Sequence, residues 1–409
     1  MSSSVEPAQT DSITPPEVLA HLRRVILVMG AVTAFAPVAI DMYLPAFPSI
    51  GRDLHADMGS VELTVSLFLV GMGVGQALYG PLSDRWGRRG PLLVGGLVYA
   101  VAAIGCALTH SIGFLLAGRL LMALGGAAGS VITRAMVRDW FEPRASAQVF
   151  SLLMLVMGAA PILAPILGSQ VLLVTSWRGI FVVFAAFGVA CTVAVAAWLP
   201  ESLPPARRSQ GGIGTAFASY GHLLRDGRFT AFALASGFAS GLLFSYITGS
   251  SAVLMGIHGV SAQQFALFFG GNALGMVACS QLNRRLLKIY SPAQILRAVY
   301  HLMAAASVLL LVHGWTGWGG LPVLATLLLV LLSSLGFVMP NLSALTMAPY
   351  ATQAGSASAL MGTAQYAVGS SAGALVSLFH NGTARPMATL MGGCGLVGWV
   401  LAHRALRRT

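Results

Sequence analysis

Long apolar runs alternate with short polar turns along nearly the whole chain. Runs long enough to cross a bilayer as helices lie at roughly 24–47, 60–80, 91–109, 113–136, 146–170, 179–199, 229–256, 262–283, 293–313, 320–345, 355–379 and 385–403. None shows the polar–apolar alternation of a transmembrane strand. The pattern predicts an all-α integral membrane protein with twelve transmembrane helices. One polar stretch, 200–228, is longer than the other turns and divides the helices six and six. The expected organisation is a tail at 1–23, a six-helix lobe at 24–199, a connector at 200–228, a second six-helix lobe at 229–403 and a short tail at 404–409. Thr14-Pro15-Pro16-Glu17 reads as a helix start, with a capping box and proline at the first helical position. Pro45 and Pro48 are expected to end the first span, and Thr215 to Arg225 to form a short surface helix.

The halves repeat. A shift of 200 positions brings Phe68 onto Phe268, Gly71 onto Gly271, Gly75 onto Gly275, Leu82 onto Leu282 and Arg85 onto Arg285. In the second copy Arg284 stands where the first has Asp84. Two related six-helix lobes, joined by a polar connector and related by pseudo-two-fold symmetry, are the pattern of a carrier with its site between the lobes.

Composition agrees with the pattern. Hydrophobic residues make up 56% of the 409, charged residues only 9%, and the mean hydropathy is +0.80. So few charges cannot cover a soluble protein of this length. The net charge of +11 does not point to nucleic acid, because the basic residues fall in short turns between apolar runs. Arg52, Arg178 and Arg385 stand in one alternate set of turns. The other set, with the tails, holds the arginines of 23–24, 85–89, 138–144, 207–228, 284–285 and 404–408. The excess marks the cytoplasmic side, so both termini are expected there. The polar first 20 residues are not expected to act as a cleavable leader. Cys106, Cys191, Cys279 and Cys394 lie inside apolar runs without metal-ligand spacing, and packing is their expected role.

Two intramembrane charges carry candidate chemistry. Asp41 lies about 25 Å along its helix from Arg24. A carboxylate at that depth is a functional-site candidate by default, the alternative being a helix-end acid already among headgroups. Arg119 lies at a matching depth in the fourth span and is the expected partner, because a buried charge without one is costlier. The turn after the second span is equally charged. Gly80-Pro81-Leu82-Ser83-Asp84-Arg85-Trp86-Gly87-Arg88-Arg89 resembles the loop signature of the major facilitator superfamily, pattern G-x-L-x-D-R-x-G-R-R. Arg119 with Gly125-Gly126-Ala127-Ala128-Gly129 resembles that superfamily's fourth-span signature, with Met122 where many drug–proton antiporters have glutamine. Gly158 to Gly168, with Pro161 and Pro165 four apart, resembles the antiporter motif of drug exporters and is expected to bend its helix.

The runs at 41–48, 134–141 and 176–181 are similar to the bicyclomycin, chloramphenicol and sulfonamide exporter branch. That resemblance covers essentially the whole chain. It implies proton-coupled export of small lipophilic drugs by a monomer in the bacterial cytoplasmic (inner) membrane. It also implies a proton gradient in place of any cofactor, no enzymatic activity and no nucleic-acid partner. Asp41 and Arg119 would couple the proton. Gly80, Asp84, Arg85, Gly87, Arg88, Arg89 and Asp139 would latch the cytoplasmic side. After Asp226 the sequence contains no Asp or Glu. Tyr246, Asn272, Asn341, Gln365 and Tyr366, with Met122, are expected to line the substrate cavity, since aromatic, amide and thioether groups suit varied organic molecules. Export of a metabolite such as a sugar or amino acid is the alternative on the same scaffold. A channel fits a two-lobed repeat less well, and no nucleophile motif supports an intramembrane hydrolase.

Overall fold

The computed structural model describes residues 22–208 and 223–407. The expected helix start at Thr14 and most of the connector helix at 215–225 lie outside the described residues. The first crossing is broken into α1 (Leu22–Thr33), α2 (Phe35–Asp41), a 3-10 turn (Leu44–Ala46) and α3 (Phe47–Asp53). It bends by 41° after Thr33. Pro45 and Pro48 do not end this crossing as expected. Each occupies an early position of a new short helix, where the missing N–H has no partner to lose.

The remaining crossings are α4 (Met58–Trp86), α5 (Arg89–Leu108), α6 (Ile112–Trp140), α7 (Pro143–Val174) and α8 (Trp177–Trp198), then α9 (Gly227–Ser251), α10 (Ala262–Leu286), α11 (Pro292–Thr316), α12 (Gly320–Met347), α13 (Ala354–Leu378) and α14 (Arg385–Leu406). Ten of the described helices are long and apolar enough to cross a membrane, and the bent first pair makes eleven. α13, 25 residues long, packs against α9 and α4. Polar caps set the starts. Asp57 accepts from the Ser60 N–H, and Ser261 and Ser291 form capping boxes with Gln264 and Gln294, each satisfying N–H groups that a helix end leaves free. α7 runs through Pro161 and Pro165 as one helix.

Helices α1–α8 pack mainly on one another, as do α9–α14, and the two sets meet along α4–α13 and α7–α10. At the end remote from the termini, polar contacts bridge the seam. Ser251 donates to the Leu44 carbonyl at 3.1 Å, and the Ser66 and Ser377 hydroxyls lie 3.4 Å apart. Nearer the terminal end, Tyr366 approaches Gly73, while Gly80 has open space beside it. The Ser251 and Ser66 contacts shut the far end.

Candidate functional site

The first crossing breaks where Asp41 sits. Asp41 is the last residue of α2 and is 4% exposed. Just beyond it, Gly168 of α7 lies against the Met42 carbonyl with no room for a Cβ. This close crossing is what the glycine of that motif supplies.

Arg119, fully buried in α6, does not pair with Asp41 as expected. One of its Nη atoms donates to the Ala39 carbonyl at 2.9 Å. Its guanidinium lies between the Tyr43 and Phe68 rings, with centroids 4.5 and 4.3 Å away. Among the described residues no ion pair joins Asp41 to any base. The reason is azimuth rather than depth. Asp41 ends α2, and the turn just beyond it presents the Tyr43 ring to the guanidinium in place of the carboxylate. Cation–π attraction from two desolvated rings takes the place of the carboxylate. Nε and one Nη of Arg119 have no hydrogen-bond partner among the described residues.

Asp41 instead lies within electrostatic reach of Tyr246 on α9, in the other lobe. The Tyr246 hydroxyl accepts from Asn272 Nδ2 at 2.9 Å, and its ring stacks on Phe269 at 5.3 Å. The fold thus gathers an acid from the first lobe and a phenol and an amide from the second. Tyr366 reaches across the seam near Gln76 and Arg134, and Gln365 donates to Ser236 at 2.7 Å within the second lobe.

Two expected cavity residues are not at the seam. Met122 is fully buried, with its sulfur 3.9 Å from an Arg119 Nη. It belongs to the packing beneath the arginine. Asn341 is buried and donates to Asn283 Oδ1 at 2.7 Å and to the Phe337 carbonyl at 2.9 Å. Its amide is used inside its own lobe. A groove of about 640 Å³ beside Asn272, between α10 and α12, is likewise confined to the second lobe.

The charged turn between α4 and α5 is a compact knot. Arg88 contacts Asp84 at 2.5 Å and Asp139 at 3.0 Å, and donates to Ser83 Oγ at 2.9 Å. Glu201, which the sequence reading left out of the site, accepts the Arg88 and Arg89 backbone N–H groups at 2.8 and 3.2 Å. Gly87 adopts φ +90°, and a Cβ there would come within 2.5 Å of the Glu201 carboxylate. Arg89 reaches the Ala196 carbonyl at 2.5 Å, while Arg85 is exposed. Among the described residues these contacts join only the first lobe and the start of the connector, and none reaches the second lobe. Two further motif runs meet at the far end. Trp177 donates to Asp53 at 3.0 Å, Arg178 pairs with the same carboxylate, and Tyr43 packs edge-on against Phe47 and Phe181.

Residues 29–374 match the family described as Major Facilitator Superfamily. The chain belongs to the major facilitator superfamily. It is 37% identical over 376 residues to an uncharacterised MFS-type transporter of Bacillus subtilis, YdgK, covering 90% of this chain and 92% of that one. It is 31% identical over 386 residues to the bicyclomycin resistance protein homolog of Haemophilus influenzae, covering 92% and 94%. It is 32% identical over 320 residues to the chloramphenicol resistance protein of Pseudomonas aeruginosa, covering 78% and 72%. In fold it matches the crystal structure of a D-xylose–proton symporter with a TM-score of 0.73 at 15% identity, over 93% of this chain and 97% of that one. The protein is therefore a multi-pass membrane transporter of this superfamily, of the bacterial inner-membrane kind, and not an enzyme.

Proposed function

We propose that the protein exports small, lipophilic, antibiotic-like compounds, of phenicol, bicyclomycin or sulfonamide type, in exchange for protons by alternating access. The observation that carries this reading is Asp41. It is a buried carboxylate at a helix break, without a basic partner among the described residues, within reach of Tyr246 across the seam. An acid so placed binds a proton when sealed from water and releases it when its side of the seam opens. Tyr246, Asn272, Gln365 and Tyr366 add neutral polar contacts for a drug. The names of the resistance relatives support the substrate class.

The arginine-rich turns put the terminal end in the cytoplasm, so the described conformation faces inward, with its outer end shut. A monomer has all the elements this cycle needs. A drug-susceptibility panel in a host lacking its own exporters, repeated with a proton uncoupler, tests the proposal. Protection against at least one such compound, lost with the uncoupler, is the expected result. Protection that survives the uncoupler, or none across the panel, overturns it.

A further inference from the structure

The far end holds a second buried acid, distinct from Asp41. Glu62 lies one turn into α4 and is 1% exposed. Its Oε2 is 3.4 Å from Nδ1 of His380, in the turn between α13 and α14, and no hydrogen bond among the described residues satisfies that oxygen. The two side chains come from different lobes. The seam around them is tight: Ser66 meets Ser377, and a Cβ on Gly59 would come within 2.7 Å of the Ser377 carbonyl and 3.1 Å of His380 Cβ. Glu62 is sealed where the outer ends of the lobes close.

The charged neighbours are few. Asp57, at the start of α4, acts on both Glu62 and His380 while capping Ser60 at 2.9 Å. Arg385, at the start of α14, is turned onto the Trp315 ring, 5.1 Å away. His313 is held by the Trp318 carbonyl at 2.6 Å, and His258 feels His313. Among the described residues His380 is the one basic group that pairs with Glu62.

We propose that Glu62 and His380 form a proton-binding site of the outer gate, whose occupancy holds the far end shut. The proposal rests on the alternating-access reading above but not on the identity of the drug. When the lobes part, both groups face external water. Glu62 is then an ordinary carboxylate and His380 an ordinary imidazole, neutral above the histidine range. When the lobes close, a bare carboxylate sealed in the seam is costly. One proton therefore enters from the external side, onto the imidazole to make the ion pair, or onto the carboxylate itself.

Glu62 is the main cause that raises the His380 pKa, with burial opposing it. The sign follows from linkage. The contribution to closure is complete below the ordinary histidine value and fades as pH rises through the raised one. External acid therefore favours the inward-facing form, the direction in which an emptied antiporter must return.

Spin-label distances across the far end test this. Labels on Ser111→Cys and Trp318→Cys, with Cys279→Ser, report the separation of the lobes from about pH 4 to about pH 9, a range that covers both the carboxylate and the histidine values. In the otherwise unaltered protein the open population should grow with pH, beginning near the histidine range. Glu62→Gln should remove the growth. His380→Gln should make opening begin at lower pH, in the carboxylate range, because Glu62 alone then holds the proton. The double variant should lose that growth, and the difference between it and the unaltered protein should be the same in an Asp41→Asn background, where the seam's other carboxylate cannot titrate. A flat curve in the unaltered protein, or an unchanged curve in the double variant, overturns the gate. If Glu62→Gln does not fold, the shift in His380→Gln decides. Loss of drug export with the pH response intact would instead count against the exporter reading.

Discussion

In the first lobe, the turn between α4 and α5 is a knot of charge. Arg88 binds Asp84 and Asp139, Glu201 gathers the backbone beneath, and Gly87 takes a left-handed φ of +90°. In the second lobe, 200 positions on, the end of α10 holds Asn283 where the first has Ser83, and its C-cap Leu287 sits at φ −63° where the first has Gly87. Asn283 is buried and bonds Asn341 at 2.7 Å. The same architecture is tied by ions on one side and by an amide pair on the other. The difference extends to the seam, where the first lobe brings Asp41 and Glu62 and the second brings Tyr246, Asn272 and His380. The seam's carboxylates come from one lobe, and its neutral polar groups and an imidazole from the other. On the proposed reading, drug contacts in the second lobe could change without rebuilding the charge chemistry of the first.

The largest expected break in that asymmetry is Asp41→Asn. The amide keeps shape and polarity but cannot exchange a proton at physiological pH. Proton-driven uphill efflux from proteoliposomes should fall to background while drug still binds. Full concentrative export by this variant would show that charge chemistry is not concentrated at Asp41.

Arg88→Ala tests the knot next. It leaves Asp139 without its cation in a part-buried site, and loss of one partner of a buried pair costs about 3–5 kcal/mol. Asp139 keeps some solvent and a hydrogen bond from Ser202 at 2.9 Å, so about 2–3 kcal/mol is the expected loss. A fall of several degrees in the unfolding temperature in detergent would register it. Asn341→Leu is the matching change in the second lobe. It strands the Asn283 amide, and a neutral group left unsatisfied costs about 1–3 kcal/mol. Its unfolding temperature should fall less than that of Arg88→Ala. The reverse order would mean that the amide pair, not the ionic knot, is the stronger tie.

These contrasts also show what the sequence could disclose. Hydrophobic period and turn chemistry placed the helix ends well. The span expected at 262–283 is α10 at Ala262–Leu286, and that at 385–403 is α14 at Arg385–Leu406. The first crossing was less legible, because proline ends one helix and begins another with the same residue type. Depth along a helix was readable for Asp41 and Arg119, whereas azimuth was set by Tyr43 and Phe68, whose claim on the guanidinium comes from packing. Glu62 stands near the start of its helix, and nothing local joins it to His380, which lies far along the chain in a polar turn. Glu201 lies in the polar connector that begins at 200, where nothing local distinguishes it. Its use, capping a turn more than a hundred residues earlier, is a tertiary fact.

The smallest expected effect belongs to Asp84→Asn, which separates the knot's structural role from its conformational one. The Asp84 side chain is about half exposed, 51%, while that of Asp139 is 19%. Solvent screens the Asp84–Arg88 contact, so the pair contributes at most about 1 kcal/mol to stability. Arg88 keeps Asp139 and Ser83 in the variant, so the knot should hold and the unfolding temperature should move little. Among the described residues the knot touches only its own lobe and the start of the connector. If it also latches the cytoplasmic side, Asp84 acts in the outward-facing state, where the terminal ends close and a partner from the second lobe comes within reach. Asp84→Asn should then enrich the inward-facing form and slow turnover by a few fold while leaving drug affinity alone, as expected of a bias of about 1 kcal/mol on a two-state equilibrium. Labels across the terminal end measure that bias. An unchanged distance distribution with unchanged turnover would leave the knot as scaffolding of the first lobe, and the asymmetry between the lobes would be structural rather than conformational.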